Sequence, residues 1–175
     1  KNELKNRDKQ INELIKKSGI NNSNITNNIQ NNIKLLSYNK TDLSHLTDND
    51  FMKCLNTSNM CVPKLIEKLH FDPEKPENHN IYISNIKNKF AMVYDNGMWL
   101  LKNQDDTIKD LIDDKECILE QKLEDWIENG KKYPDIMRKF NRYLEKKEND
   151  EVLNKIKEEI KLLLFNKRNV VKKEM

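Results

Sequence analysis

Residues 69–101 constrain the fold more than any other part of the sequence, because they combine loop residues of fixed geometry with strand and turn signals. Pro73 and Pro76 each fix φ and lack a backbone donor, so they predict an extended loop that runs over the surface. Asn78 and His79 are predicted to hold this loop against the following strands through side-chain hydrogen bonds. The residues of the predicted structural loop are His70, Pro73, Pro76, Asn78 and His79.

A three-stranded antiparallel meander is predicted after this loop. Residues 80–84, 90–94 and 98–102 are rich in β-branched and aromatic side chains and partly alternate with polar ones. Asp95-Asn96-Gly97 between the last two segments is a hairpin signal, since glycine supplies positive φ. The predicted core residues are Tyr82, Phe90, Tyr94 and Trp99 on the strands and Trp126 on a later helix.

Helices are predicted on both sides of the meander. A cap at Thr47 or Asp48 precedes a short helix, and Pro63 opens a second. Apolar residues at helical spacing predict three further helices, over about 108–127, 135–148 and 151–165. Alternation near residues 32–38 predicts an entry strand. The expected fold class is therefore α+β, with a small sheet over about 80–102 packed against helices.

The N-terminal residues follow a different pattern. Leu4, Ile11 and Leu14 lie at heptad spacing with Ile15 beside them, which predicts oligomerisation through the end of a coiled coil. Because this pattern is already under way at Lys1, we expect the sequence to belong to a longer protein. The expected organisation is a coiled-coil end over 1–17, an Asn-rich linker over 18–31, an α+β core over 32–130, C-terminal helices over 131–165 and a basic tail over 166–175.

Charge is segregated along the chain. Residues 1–40 carry a net +5, residues 41–130 carry −8 and residues 131–175 carry +6. Basic ends around an acidic middle permit contact with a polyanion, and they equally permit contact between opposite charges on two subunits. Three cysteines without a CxxC pair indicate neither a disulfide framework nor a zinc finger. No apolar run of about 18 residues predicts a membrane span.

His70 and His79 are the candidate metal ligands. The pair His79-Asn80 resembles the ββα-metal nucleases, in which a histidine acts beside a bound ion. Strand residues follow His79 where those enzymes need a ligand-bearing helix, so the sequence favours a structural role. The helix dipole explains Asp105-Asp106 at a predicted helix start. Without a phosphate loop, nucleophile elbow or triad spacing, we predict no enzymatic activity, catalytic residue, metal or cofactor.

Residues 131–143 are the strongest candidate for nucleic-acid binding, because basic and aromatic side chains interleave there. Arg138, Lys139 and Arg142 have the spacing of one helix face, opposite the apolar face, as contacts with phosphates require. The candidate contacts are Lys131, Lys132, Arg138, Lys139 and Arg142. A solvated helix face explains the same pattern without a ligand.

The order of the segments resembles a known family. YNKTDLSHLTDNDF and VPKLIEKLHFDPEKPENHNIYISNIKNKFAMVYDNGMW, within about residues 28–129, resemble the C-terminal domain of uncharacterised proteins of giant DNA viruses such as the mimiviruses. In that family a zinc-finger-like segment and a coiled coil precede this domain. The resemblance implies a self-associating viral protein of the host cytoplasm or virus factory, and it implies no enzymatic residues.

We therefore expect a non-enzymatic, oligomerising interaction or assembly module that forms homo-oligomers and has no membrane association. The alternative is a nucleic-acid-binding module that uses residues 131–142. A degenerate ββα-metal nuclease around His70 and His79 is the third hypothesis.

Overall fold

Helices make up most of the fold, and one small antiparallel sheet lies among them. The computed structural model describes residues 33–173. The helices are α1 (Asp48–Leu55), α2 (Cys61–His70), α3 (Gln104–Glu128), α4 (Pro134–Lys147), α5 (Asp150–Asn166) and α6 (Arg168–Lys172). The strands are β1 (Ile81–Tyr82), β2 (Phe90–Asp95) and β3 (Met98–Asn103), in the order β1-β2-β3. The predicted α+β class and the meander are confirmed.

Local capping explains where the main helices begin and end. Thr47 and Asp50 form a reciprocal capping box, in which each side chain accepts a hydrogen bond from the other residue's backbone N–H. Asn103 and Asn149 cap α3 and α5 through side-chain oxygens that each accept from two backbone N–H groups. Gly130 follows α3 at φ +72°, which favours glycine. These boundaries follow from residue types visible in the sequence.

One hydrophobic core joins the sheet to helices from both sides of it. Trp126 is 1% exposed and confirms its prediction as a core residue. Helices α4 and α5 supply buried residues to the same core as the sheet, namely Ile136, Phe140, Tyr143, Ile156, Ile160 and Leu164. A backbone bond of 3.2 Å from Ile83 N to Leu164 O ties the end of α5 to the residue after β1. The C-terminal helices are thus integral to the core.

The entry strand predicted near residues 32–38 is wrong within the described residues. Residues 33–37 have no regular structure, and Tyr38–Lys40 is a short 3-10 helix. The backbone of this segment is bound by loop groups instead of a strand. Leu36 N donates to Glu77 O at 2.8 Å, and Asn80 Nδ2 donates to Leu36 O at 3.2 Å. The N–H and C=O groups of Leu36 are therefore already paired and are not available to a sheet ladder.

The predicted face of the sheet is only partly buried, and side chains on the opposite face enter the core as well. Phe90 is 50% exposed, so its prediction as a core residue is wrong, while Tyr94 and Trp99 are only partly buried. Tyr82 is buried as predicted. On the opposite face, the strand side chains that enter the core are Ile81, Ala91 and Val93. Because this set is small or β-branched, the helices that contact the strands can approach the sheet closely.

The proline loop is partly buried, in contrast to the predicted surface course. Pro73 is exposed and Pro76 is half-buried at the start of the 3-10 turn Pro76–Asn78, and Asn78, His79 and Asn80 are buried after it. Asn78 brackets Asp42 by accepting from its N–H at 2.9 Å and donating to its C=O at 2.7 Å. His79 Nε2 lies 2.9 Å from Asp72 O. Asn78 and His79 therefore bind Asp42 and Asp72 outside the sheet, instead of the following strands as predicted.

Candidate interaction surface

The β2–β3 hairpin is built by a two-residue turn. Asn96 and Gly97 have φ of +46° and +85°, the pair of positive values that matches the twist of a tight hairpin. The turn sets the pairing of Asp95 with Met98, and the register continues to Phe90 opposite Asn103. The hairpin signal read from the sequence thus fixes which side chains share a face.

The outer sheet face, defined here as the face turned away from Ile81, Ala91 and Val93, is largely aromatic and apolar. The register places on it Tyr82, Phe90, Met92, Tyr94, Trp99 and Leu101. The Trp99 ring packs edge-on against Tyr82 and Tyr94, with centroids 5.2 and 5.4 Å away. Phe90 and Leu101 remain 50% and 66% exposed. A rigid aromatic centre therefore lies beside accessible apolar side chains, as in binding surfaces.

Strand β3 is an edge of the sheet. Its only strand neighbour in the described part of the chain is β2. Met98 on the same strand is 58% exposed, so apolar side chains project from both of its faces. Exposed apolar edge strands present backbone donors and acceptors as well as side chains to a partner. Lys102 is the one charged side chain on β3.

The structure brings part of the predicted nucleic-acid surface together. Arg138, Lys139 and Arg142 line one shallow concavity on α4 with Asp135. Arg138 forms an ion pair with Asp135, and Lys139 Nζ donates to Asn56 Oδ1 at 2.6 Å. These contacts occupy two of the three cations within the fold.

The other two predicted contacts, Lys131 and Lys132, lie on the connection between α3 and α4. Lys131 forms an ion pair with Asp48, whereas Lys132 is exposed. Hydrogen bonds from Lys122 and Lys131 hold the pKa of the Asp48 carboxyl well below its usual range. Lys131 therefore joins the acidic start of α1 to the end of α3, a role that requires no ligand.

A cleft of about 420 Å³ lies beside the buried ammonium group of Lys115. Lys115 Nζ donates to Asp114 Oδ2 at 2.6 Å and lies 5.4 Å from the Tyr38 ring centroid. Burial lowers the pKa of Lys115, and the hydrogen bond to Asp114 opposes that effect. Since the ammonium is already paired, its charge serves the fold, where it anchors the 3-10 helix at Tyr38 to α3.

The two histidines of the proline loop have separate hydrogen-bond partners. His70 Nδ1 lies 2.9 Å from Asn80 Oδ1, and its ring stacks on Tyr38 with centroids 5.6 Å apart. His79 is directed to Asp72 O instead of to His70. Within residues 33–173, no three His, Cys, Asp or Glu side chains are grouped as metal ligands. The arrangement gives no support to the nuclease hypothesis.

Leu4, Ile11, Leu14 and Ile15, the predicted oligomerisation positions, lie outside the described residues. The exposed β3 edge was not predicted from the sequence. Its signal was the apolar run from Met98 to Leu101, which indicates a strand with apolar side chains on both faces.

Together these features define an α+β domain with one accessible edge strand. Comparisons with protein-family models, with curated proteins and with solved structures found no match. The resemblance to giant-virus proteins therefore stays a prediction. No helix among residues 33–173 is long and apolar enough to cross a membrane.

Proposed function

We propose that this chain is a non-enzymatic, oligomerising interaction module whose binding surface includes the outer sheet face and the β3 edge. The observation that carries the proposal is the exposure of Phe90, Met98 and Leu101, at 50%, 58% and 66%, within one hairpin. Clustered exposed apolar side chains mark interaction sites more often than single ones do. The other three large exposed apolar residues of the described chain, Leu43, Met60 and Ile127, lie outside the hairpin.

Two features of the sequence support self-association. The heptad spacing of Leu4, Ile11 and Leu14 predicts a coiled-coil contact between copies. The resemblance to giant-virus proteins implies an assembly role in the virus factory. In such a module the coiled coil would bring copies together, and the hairpin would supply a second contact.

Leu101→Asp is expected to weaken self-association at least about tenfold, because burial of one leucine side chain contributes about 1.5–3 kcal/mol. The measurement is sedimentation velocity over a range of concentrations. It uses the full chain with Ile11→Asn and Leu14→Asn, so that heptad packing does not mask the effect.

Ile127→Asp is the matched control, because Ile127 is similarly exposed, at 53%, but lies on α3. It should leave the association unchanged. Equal effects of the two substitutions, or a parent chain that is monomeric with and without the heptad substitutions, would contradict the proposal.

The second candidate function is nucleic-acid binding by α4. The convergence of Arg138, Lys139 and Arg142 on one concave face is the observation that favours it.

Arg142→Glu is expected to weaken binding to double-stranded DNA and to lower the salt slope, by about one for each phosphate that the variant no longer neutralises. Fluorescence anisotropy at several salt concentrations measures both quantities. Glu145→Gln, an exposed change on the same helix, is the control. Binding that does not depend on salt, or that Arg142→Glu leaves intact, rejects this candidate.

A further inference from the structure

We infer that β3 pairs antiparallel with β3 of a second copy, so that two three-stranded sheets join into one continuous sheet around a two-fold axis. This inference rests on the proposed function, which it deepens by naming the partner and the mode of contact. Three properties of β3 support the pairing: the direction of its backbone groups, the length of strand that is free to pair and the side chains that would lie opposite each other.

Backbone hydrogen bonds show which groups of β3 point outward. Gln104 N donates to Lys89 O at 2.9 Å, so this position bonds across the hairpin. Tyr94 N donates to Asn80 O at 2.8 Å, so the backbone groups of Tyr94 point toward β1. Tyr94 and Trp99, which are paired across the hairpin, therefore form a pair without hydrogen bonds between β2 and β3. By the alternation of antiparallel ladders, Trp99 and Leu101 direct their N–H and C=O groups away from β2. These groups are the donors and acceptors that a new strand would use.

The ends of β3 limit the register of such a pair. The Asn96-Gly97 turn closes one end, and α3 begins directly after Asn103 at the other. Asn103 O already accepts from Thr107 Oγ1 at 2.6 Å. A pair centred on Leu101 would need the backbone of Asn103, whereas a pair centred on Leu100 needs only Trp99 and Leu101. The Leu100-centred register is therefore the one that the strand can form.

In that register the side chains of β3 lie opposite compatible side chains of β3 in the second copy. Trp99 lies opposite Leu101 of the second copy on the outer sheet face, which is an aromatic–aliphatic pair of the kind that stabilises sheets. Leu100 lies opposite Leu100 of the second copy on the other face. Lys102 lies opposite the exposed Met98 of the second copy, so the two Lys102 side chains, the charged residues of the paired strands, do not lie opposite each other. This absence of like-charge contact favours a second copy as the partner.

Disulfide trapping tests the register directly. Met98 and Lys102 of the second copy would form a pair without hydrogen bonds, with Cα atoms about 4.5 Å apart, which permits a disulfide. Two Met98 positions would be roughly 13 Å apart, which forbids one. The experiment uses full-length Met98→Cys and Lys102→Cys chains, each with Cys117→Ser to remove the exposed native thiol. The other cysteines, Cys54 and Cys61, are buried.

A mixture of the two single variants, oxidised with diamide, is expected to give about tenfold more disulfide-linked dimer than either variant alone. The double variant should link with itself. Circular dichroism of each variant before oxidation shows whether the fold is kept, and Ile127→Cys serves as an exposed thiol on another element. A mixture that links no better than the single variants overturns the inference.

The outcomes separate the inference from the proposed function. If Leu101→Asp weakens self-association but the mixture does not link, copies meet in another way or β3 binds another protein, and only the strand pairing fails. If the parent chain does not self-associate and no link forms, both fail. Linking in the mixture together with the effect of Leu101→Asp supports both.

Discussion

Glu116→Ala is expected to lower the free energy of unfolding by about 3 kcal/mol, because it breaks a buried ionic network and leaves its partners unpaired. Glu116 on α3 is 7% exposed and accepts from Tyr143 Oη and from Lys147 Nζ, both on α4. Tyr143 is fully buried, so its hydroxyl could not turn to water. Urea titration followed by circular dichroism measures the change.

Two milder substitutions calibrate this effect. Tyr143→Phe removes one donor but leaves the Glu116–Lys147 ion pair, so we expect a loss of about 1 kcal/mol. Glu116→Gln keeps an acceptor for Tyr143 and should lie between the two. A loss below about 1 kcal/mol for Glu116→Ala would show that the network contributes little to the packing of α4 on α3.

Acidification is expected to destabilise the protein by about 1.4 kcal/mol for each pH unit below about 6.5, until His70 itself becomes protonated. Burial, followed by the nearby charge of Lys115, holds the pKa of His70 well below its usual range. The unfolded chain therefore binds a proton near pH 6.5 that the folded chain does not bind. More protons on the unfolded state mean that stability rises with pH in this window and is lost as pH falls.

The environment of His70 contains few groups that could offset this effect. Its ring contacts Asn80 and Tyr38, and the nearby titratable groups are Lys115 and His79. The carboxyl groups of Asp50 and Asp72, whose folded pKa is lowered by hydrogen bonds from Thr47 and from the Glu74 backbone, lose their contribution only at lower pH.

The His70→Gln variant distinguishes the contribution of His70 to the pH dependence of stability from that of these carboxylates. It retains a polar side chain toward Asn80 but cannot be protonated, so urea titrations between pH 6.5 and pH 5 should show a flat profile in this variant. The parent protein should show the slope over the same range. An unchanged slope in His70→Gln would assign the acid sensitivity to other groups.

The predicted helices and strands were mostly right because their signals are local. Thr47, Asn103 and Gly130 act through hydrogen bonds and backbone angles within a few residues, so the sequence suffices to locate them. The entry strand failed for the opposite reason. Asn80 and Glu77, more than forty positions along the chain, take the backbone groups that a strand would have used.

The candidate surface was only half visible in the sequence. The strands and the Asn96-Gly97 turn were predicted, and with them the grouping of Tyr82, Phe90, Tyr94 and Trp99 on one face. Their face was predicted to be buried because large aromatic residues usually are. Phe90 is instead half exposed, and the exposed edge at Leu101 was not anticipated.

The sequence by itself determined the main helices and the three strands of this protein, their order and the two alternating sets of strand side chains. A period of two residues sorts side chains into two faces but does not say which face meets the core. The tertiary structure decided that point. The core takes Ile81, Ala91 and Val93 from one face of the sheet and Tyr82 from the other. Phe90 and Leu101 stay exposed on the outer sheet face, beside an edge strand whose backbone is free to pair.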